Sequence, residues 1–352
     1  MSQIRIREEC RRDGIAASFL IDAPSMVNLA EAFPNSIISV GYPSICSEEE
    51  KRVKEILEAF KDLPIESAVY SHAIKDQIDL SGRLIEGYKN ASACFWIPTS
   101  DFFISQTLKG STAKDVLNKA TNLVKHFVKE YKKPIDVALT DTTCPESGLE
   151  ERLAEFSNEL SQAGARQLVV CDSRGIGINE IIKKNFECIR KRYSGPLEFH
   201  PHNDNGKALE HIKIALDYDT EIINTAMFGS SERGTLISPE ELLKANYNIC
   251  SDKDKLDLFK IKFSEKIGEP PKVIKEVYGP STIVTGSQYR LRGRSHDEKL
   301  IFGITSDRFI FKKMTDSNLD DETIRKKMEE LKNKLYTTGK LYYTREDLSR
   351  LI

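Results

Sequence analysis

Eight short β-branched and apolar runs, each followed by a stretch with helical amphipathic spacing, constrain this chain more than any other feature of its sequence. The runs are Ile4–Ile6, Ser36–Val40, Ile65–Tyr70, Ala93–Ile97, Ile135–Thr140, Gln167–Cys171, Leu197–His200 and Ile222–Ala226. The helical stretches lie around Ser25–Phe33, Glu48–Phe60, Lys75–Glu86, Ala113–Glu130, Leu149–Ala163, Asn179–Tyr193, Ala208–Leu216 and Pro239–Ile249. Strict alternation implies parallel strands joined by helical crossovers, and eight units close a barrel more naturally than they extend an open sheet. No GxGxxG follows the first run, which argues against a doubly wound dinucleotide fold. Helix ends agree with the alternation: Ser47 is the expected N-cap ahead of Glu48–Glu50, Pro239 takes the first helical position after Ser238, and Gly164 closes the fifth helix.

The predicted fold is therefore a (β/α)8 TIM barrel over residues 1–255, because such a barrel occupies roughly 250 residues. After about Ser251 the pattern changes to a charged, lysine-rich stretch, Glu269-Pro270-Pro271 and a glycine-punctuated segment, read as a small mixed linker subdomain over 256–318. The amphipathic stretch Glu322–Leu335 and a short helix beginning at Thr344 then predict a helical subdomain over 319–352.

Composition excludes several partners. With 39% hydrophobic and 30% charged residues and a net charge of -2, the chain has no broad attraction to nucleic acid or membrane. No stretch approaches the ~18 apolar residues of a membrane span, and residues 1–12 lack the apolar core of a signal peptide, so a cytoplasmic protein is expected. The seven cysteines are scattered without a CxxC pair, which predicts free thiols and no cysteine-based zinc site.

Active sites of such barrels sit at the carboxyl ends of the strands. Those ends carry Arg12-Asp13-Gly14, Asp172-Ser173-Arg174-Gly175, His200-Pro201-His202-Asn203-Asp204 and Glu232-Arg233-Gly234. In His200-Pro201-His202 an extended backbone points both imidazoles to one face. With Asp13 they form a two-histidine, one-carboxylate set suited to a divalent ion with open positions for substrate oxygens. Arg12 beside that set is placed to stabilise an oxyanion. Blander readings stay open: Asp13 as a helix cap, Asp172 and Ser173 as turn formers, Glu232-Arg233 as a structural ion pair.

These residues resemble the DRE-TIM metallolyases, and within them the isopropylmalate, homocitrate and citramalate synthases of the HMG-CoA lyase-like branch. The matching stretches are Arg12-Asp13-Gly14, Gly41-Tyr42-Pro43, Thr99-Ser100-Asp101, Asp172-Ser173-Arg174-Gly175, His200-Pro201-His202-Asn203-Asp204, Glu232-Arg233 and the tail through Tyr343-Thr344-Arg345-Glu346-Asp347-Leu348. The resemblance implies that Asp13, His200 and His202 bind one divalent metal (Zn, Mn or Mg), which chelates a 2-oxo acid for attack by the enolate of acetyl-CoA. It implies catalytic roles for Arg12, Glu232 and Tyr289, substrate contacts from Thr99, Asp172, Ser173, Asn203 and Arg233, and a homodimer. Metal-dependent retro-aldol or retro-Claisen cleavage, and a non-catalytic metal-binding barrel, are the alternatives. The chain also departs from the family's pattern: Ala16 stands for a glutamine, Ser39 for a glutamate, Cys94 for a histidine and Cys144 for an arginine. Thr140-Asp141 replaces Glu-Asp, and Tyr289 is the nearest counterpart of an acid–base histidine.

Overall fold

Period-two alternation sorts the strand side chains into two separate apolar clusters. Ile37, Ala68, Tyr70, Cys94, Ala138, Val169, Cys171 and Ile222 face the barrel axis, whereas Val69, Phe95, Val137, Val170 and Phe199 join the main core against the helices. Both faces are buried, which is why the strands read as near-continuous apolar runs. In the computed structural model they are β1 (Arg5–Glu8), β2 (Ile37–Gly41), β3 (Glu66–His72), β4 (Ala91–Pro98), β5 (Ile135–Thr140), β6 (Gln167–Asp172), β7 (Leu197–Pro201) and β8 (Ile222–Thr225). They form a closed parallel barrel in chain order, with β8 paired to β1. The structure describes residues 3–13, 21–175, 177–231, 236–267, 282–283, 299–300, 302–304, 306, 308–316, 318–340 and 342–351. Ala16, Glu232, Arg233, Tyr289 and most of the expected linker subdomain lie outside them.

The crossovers are α1 (Ala23–Ala32), α2 (Ser47–Phe60), α3 (Lys75–Ile85), α4 (Asp101–Thr107), α5 (Ala113–Tyr131), α6 (Leu149–Ala163), α7 (Asn179–Arg190) and α8 (Ala208–Leu216), followed by α9 (Pro239–Lys244) and α10 (Lys253–Ile267). Helix α4 was not expected, since seven residues are too few to show periodicity; the Ser100 hydroxyl caps it by accepting the Phe103 N–H. Helix α10 occupies the lysine-rich stretch, and its Leu256, Phe259 and Phe263 are buried in the main core while Asp252 bonds back to the end of α1. Ser238 and Glu241 form a full capping box at α9, with Pro239 at its start.

The expected cap of α2 is different. Cys46 occupies the N-cap position and makes no side-chain cap bond; the Glu48 N–H is accepted instead by Asn333 Oδ1 at 3.2 Å. Asn333 lies on α12 (Asp321–Thr338), which with α11 (Arg308–Thr315) and α13 (Arg345–Leu351) packs around Phe302, Phe311, Ile324, Leu335 and Leu348. Cys46 belongs to the same cluster, so this helical unit docks on the barrel at α2. Beneath it Glu49 accepts from Arg11 Nη1 (2.9 Å) and Nη2 (2.5 Å), from the Tyr42 N–H (2.9 Å) and from the Tyr336 hydroxyl. Gly41, at φ 137°, is required there because a Cβ would lie 2.3 Å from Glu49 Oε1.

Inside the barrel, Arg7 has no exposed surface and donates to Glu198 through Nε (2.7 Å) and Nη2 (2.5 Å) and to Asp136 through Nη2 (2.7 Å). Burial alone would weaken its charge, but Glu198, Tyr70 and Asp136 hold its pKa above the ordinary arginine range. Asp136 also accepts from Arg166, and Arg166 and Arg5 both reach Glu66 near the amino ends of the strands. Removing one partner of such a buried pair strands the other, so Arg7→Met should lower the unfolding free energy by about 3–5 kcal/mol in urea titrations. A loss below about 1 kcal/mol would show that the lattice contributes nothing net.

Candidate metal centre

Strand β1 ends in a tight turn whose bonds aim Asp13 into the barrel mouth. The Arg12 and Asp13 N–H groups both donate to the Glu9 carbonyl, at 2.9 and 2.7 Å. Glu8 ties this turn to the end of β8 by accepting the N–H groups of Cys10 (2.8 Å) and Met227 (2.5 Å). Across the mouth, His200 and His202 point inward from β7 and the residue beyond it, with ring centroids 5.0 Å apart.

One ligand atom from each of Asp13, His200 and His202 lies within 4.8 Å of the others, and among the described residues this is the group that could hold a metal ion. The two Nε2 atoms are 3.3 Å apart, and His202 Nε2 is 4.0 Å from Asp13 Oδ2. Two nitrogens bound to one ion at about 2.0–2.1 Å in tetrahedral array would themselves be about 3.3 Å apart. Asp13 Oδ2 is buried without a hydrogen-bond partner among the described residues, although a buried carboxylate oxygen normally has one. Geometry and the unsatisfied oxygen both fit a divalent cation with N and O ligands.

Arg12 flanks this cradle. Its Nη1 donates to Asp13 Oδ1 (3.0 Å), its Nε is 3.7 Å from Glu9 Oε2, and its guanidinium lies 4.5 Å from the centroid of the Tyr70 ring. Burial opposes its charge, but Glu9 and Asp13 outweigh burial and raise its pKa above the usual value. Glu9 was not anticipated: Ser39 donates its hydroxyl to Glu9 Oε1 at 3.0 Å, and Tyr70 donates to the same oxygen at 2.9 Å. A carboxylate from the turn after β1 thus lies against β2 and β3. Burial raises the Glu9 pKa against the influence of Arg12.

The remaining expected residues are placed apart from the cradle or bonded to backbone. Thr99 Oγ1 donates to the Thr140 carbonyl (2.7 Å), and Asn203 Oδ1 accepts the Ala208 N–H (2.9 Å) at the start of α8. Asp172 faces the helices, where it accepts from Thr143 Oγ1 (2.5 Å) and the Gly177 N–H (3.1 Å); burial raises its pKa. Ser173 Oγ accepts the Asp141 N–H (2.9 Å). Asp141 itself adopts φ 60° and is held by Ser100 Oγ (2.5 Å) and Arg174 Nε (2.8 Å), joining the ends of β4, β5 and β6. On the β2–β4 side Tyr42, His72 and Trp96 form a ring-to-ring wall with centroids 5.0 Å apart, and burial lowers the His72 pKa to about 4.

A family model described as HMGL-like matches residues 20–263, a span that contains both histidines and follows Asp13. The chain belongs to the HMGL-like family. This HMGL-like chain is 25% identical over 251 residues to a 2-isopropylmalate synthase of Pseudoalteromonas atlantica, covering 68% of this chain and 47% of the relative. It is 26% identical over 215 residues to a 2-isopropylmalate synthase of Halothermothrix orenii, covering 60% of this chain and 40% of the relative. The chain thus spans less than half the length of these curated relatives. Its fold is similar to that of an HMG-CoA lyase from Brucella melitensis, with a TM-score of 0.62 at 14% identity over 76% of this chain and 100% of that one. Among the described residues, no helix is long and apolar enough to cross a membrane, and all seven cysteines are free.

His202→Ala should abolish tight metal binding while leaving the unfolding transition close to wild type, because a ligand at a strand end contributes little to the core. Elemental analysis beside thermal unfolding reads both; a full equivalent of tightly held metal in the variant would exclude this cradle.

Proposed function

We propose that the chain catalyses a metal-dependent Claisen-type condensation of an acyl-CoA, with acetyl-CoA as the donor, and a 2-oxo acid. The observation that carries this reading is the convergence of Asp13, His200 and His202 with Arg12 at one edge of the set. Sequence similarity to 2-isopropylmalate synthases supports the direction of the chemistry. Asp13, His200 and His202 would hold a divalent ion, which would supply Lewis-acid polarisation of a carbonyl oxygen. Arg12, fixed by Asp13, Glu9 and the Tyr70 ring, offers a rigid fork of donors where negative charge develops on oxygen. In the condensation the acetyl methyl group loses a proton, its carbon joins C2 of the 2-oxo acid as the C2 carbonyl π bond opens, the C2 oxygen takes a proton, and water then cleaves the thioester C–S bond to release the CoA thiol. Ser173 is assigned to the acid's carboxylate; Glu232, Arg233 and Tyr289 keep the roles implied by the family pattern.

Thiol release, measured with the metal-loaded full chain, acetyl-CoA and a panel of 2-oxo acids, should require both the metal and a 2-oxo acid. Arg12→Lys should cut that turnover about 10²–10³-fold at unchanged metal content, the usual loss when one oxyanion donor is misplaced. Absence of thiol release with every acid, together with cleavage of a hydroxy acid, would overturn condensation in favour of a lyase. Near wild-type turnover in Arg12→Lys would remove Arg12 from the oxyanion role.

A further inference from the structure

We propose that Asn224 is a positioning residue that decides which nitrogen of His200 faces the metal cradle, and that Glu198 and Arg7 deep in the barrel lock Asn224 in that orientation. This rests on the metal reading of the site. Asn224 sits on β8 with no exposed surface, between two partners of opposite hydrogen-bonding need. Its Nδ2 donates to Glu198 Oε2 at 2.9 Å, and its Oδ1 lies 3.1 Å from His200 Nδ1.

Reversing the amide would bring its carbonyl oxygen against the Glu198 carboxylate at a place closed to solvent. That carboxylate is an acceptor bound in bidentate fashion by Arg7, through Nε at 2.7 Å and Nη2 at 2.5 Å, and it accepts from Gln167 as well. The strand register keeps the members together: Arg7 is the partner of Asn224 across β1 and β8, and Phe199 pairs with Ile223, so His200 and Asn224 are the next step on β7 and β8. With the amide nitrogen committed to Glu198, the face turned to His200 is a carbonyl oxygen, which can only accept. His200 Nδ1 must then carry the hydrogen of the neutral ring. Its Nε2, 3.3 Å from His202 Nε2, is left with a lone pair directed at the cradle. The buried charge lattice thus reaches a metal ligand through one amide, and the carboxylate behind the amide strengthens that ligand as a donor.

The 15N-labelled full chain, stripped of metal by a chelator, reports the tautomer directly in long-range 1H–15N spectra at pH 8, with His200 assigned by its loss in His200→Gln. The expected result is a protonated Nδ1 and a pyridine-like Nε2, which a merely space-filling Asn224 has no reason to enforce. Competition of Zn2+ and Mn2+ with a chromophoric chelator should show affinity reduced about 10–100-fold in Asn224→Ala, as for other partners of metal-bound histidines. In Asn224→Asp, whose neutral acid keeps one donor for Glu198 and one acceptor for His200, most of that affinity should return. An Nε2–H tautomer in the wild-type chain, or unchanged affinity in Asn224→Ala, overturns the role of Asn224 while leaving the cradle standing. A wild-type chain that binds neither ion defeats the metal reading itself, and the purpose given to Asn224 with it.

Discussion

A single unexposed guanidinium on the barrel axis is the constraint around which the interior is arranged. Arg7 enters from β1, and its Nε and Nη2 donate to Glu198 from β7 and Asp136 from β5, so one side chain ties together strands that are not neighbours in the sheet. Such a buried charge is tolerated only where close counter-charges of good geometry offset its lost hydration. A register slip of one residue in β1, β5 or β7 would turn one member of this lattice outward and leave the others stranded. The apolar residues around it, Tyr70, Cys94, Ala138 and Val169, fill space but specify register less strictly.

Above that lattice the mouth is organised by the short turn after β1. Glu8 fastens the turn to β8, Glu9 fastens it to β2 and β3 through Ser39 and Tyr70, and Arg11 fastens it to α2 through Glu49. Consecutive side chains of one turn therefore reach in different directions, and Arg12 and Asp13 are what remains facing the two histidines. Through Glu9 a buried carboxylate lies against Ser39 and Tyr70, beside the group formed by Asp13, His200 and His202. The wall of Tyr42, His72 and Trp96 on the opposite side makes the β2–β4 edge aromatic where the cradle edge is charged.

The barrel was legible because βα periodicity is local and repeats eight times, and the convergence of the two imidazoles because His-x-His on a strand end fixes both rings on one face. What was not legible depended on contacts distant in sequence. Nothing near Asn224 announces its partners Glu198 and His200, 26 and 24 residues away. Glu9 was hidden by its charged neighbours, in a stretch where polarity reads as surface. Thr99 and Asn203 carry side chains suited to substrates, yet backbone groups beside them claim their hydrogen bonds, a choice that propensity and spacing do not reveal. Helix α10 carried its own signal in Leu256, Phe259 and Phe263, but the lysines between them masked it.

The cap of α2 bears on the order in which the molecule can be completed. Asn333 and Glu48 are 285 residues apart, and Tyr336 and Glu49 are 287 apart. Closing loops of that length is entropically unfavourable and falls late in folding, after local βα units have formed. During synthesis from the amino end, α2 is made with its first-turn N–H groups open to water, and Glu49 meets Arg11 without its phenol partner. The front of the barrel beside Arg12 and Asp13 is therefore finished only once α12 has left the ribosome, so a nascent chain can hold a nearly whole barrel with its mouth still unsettled.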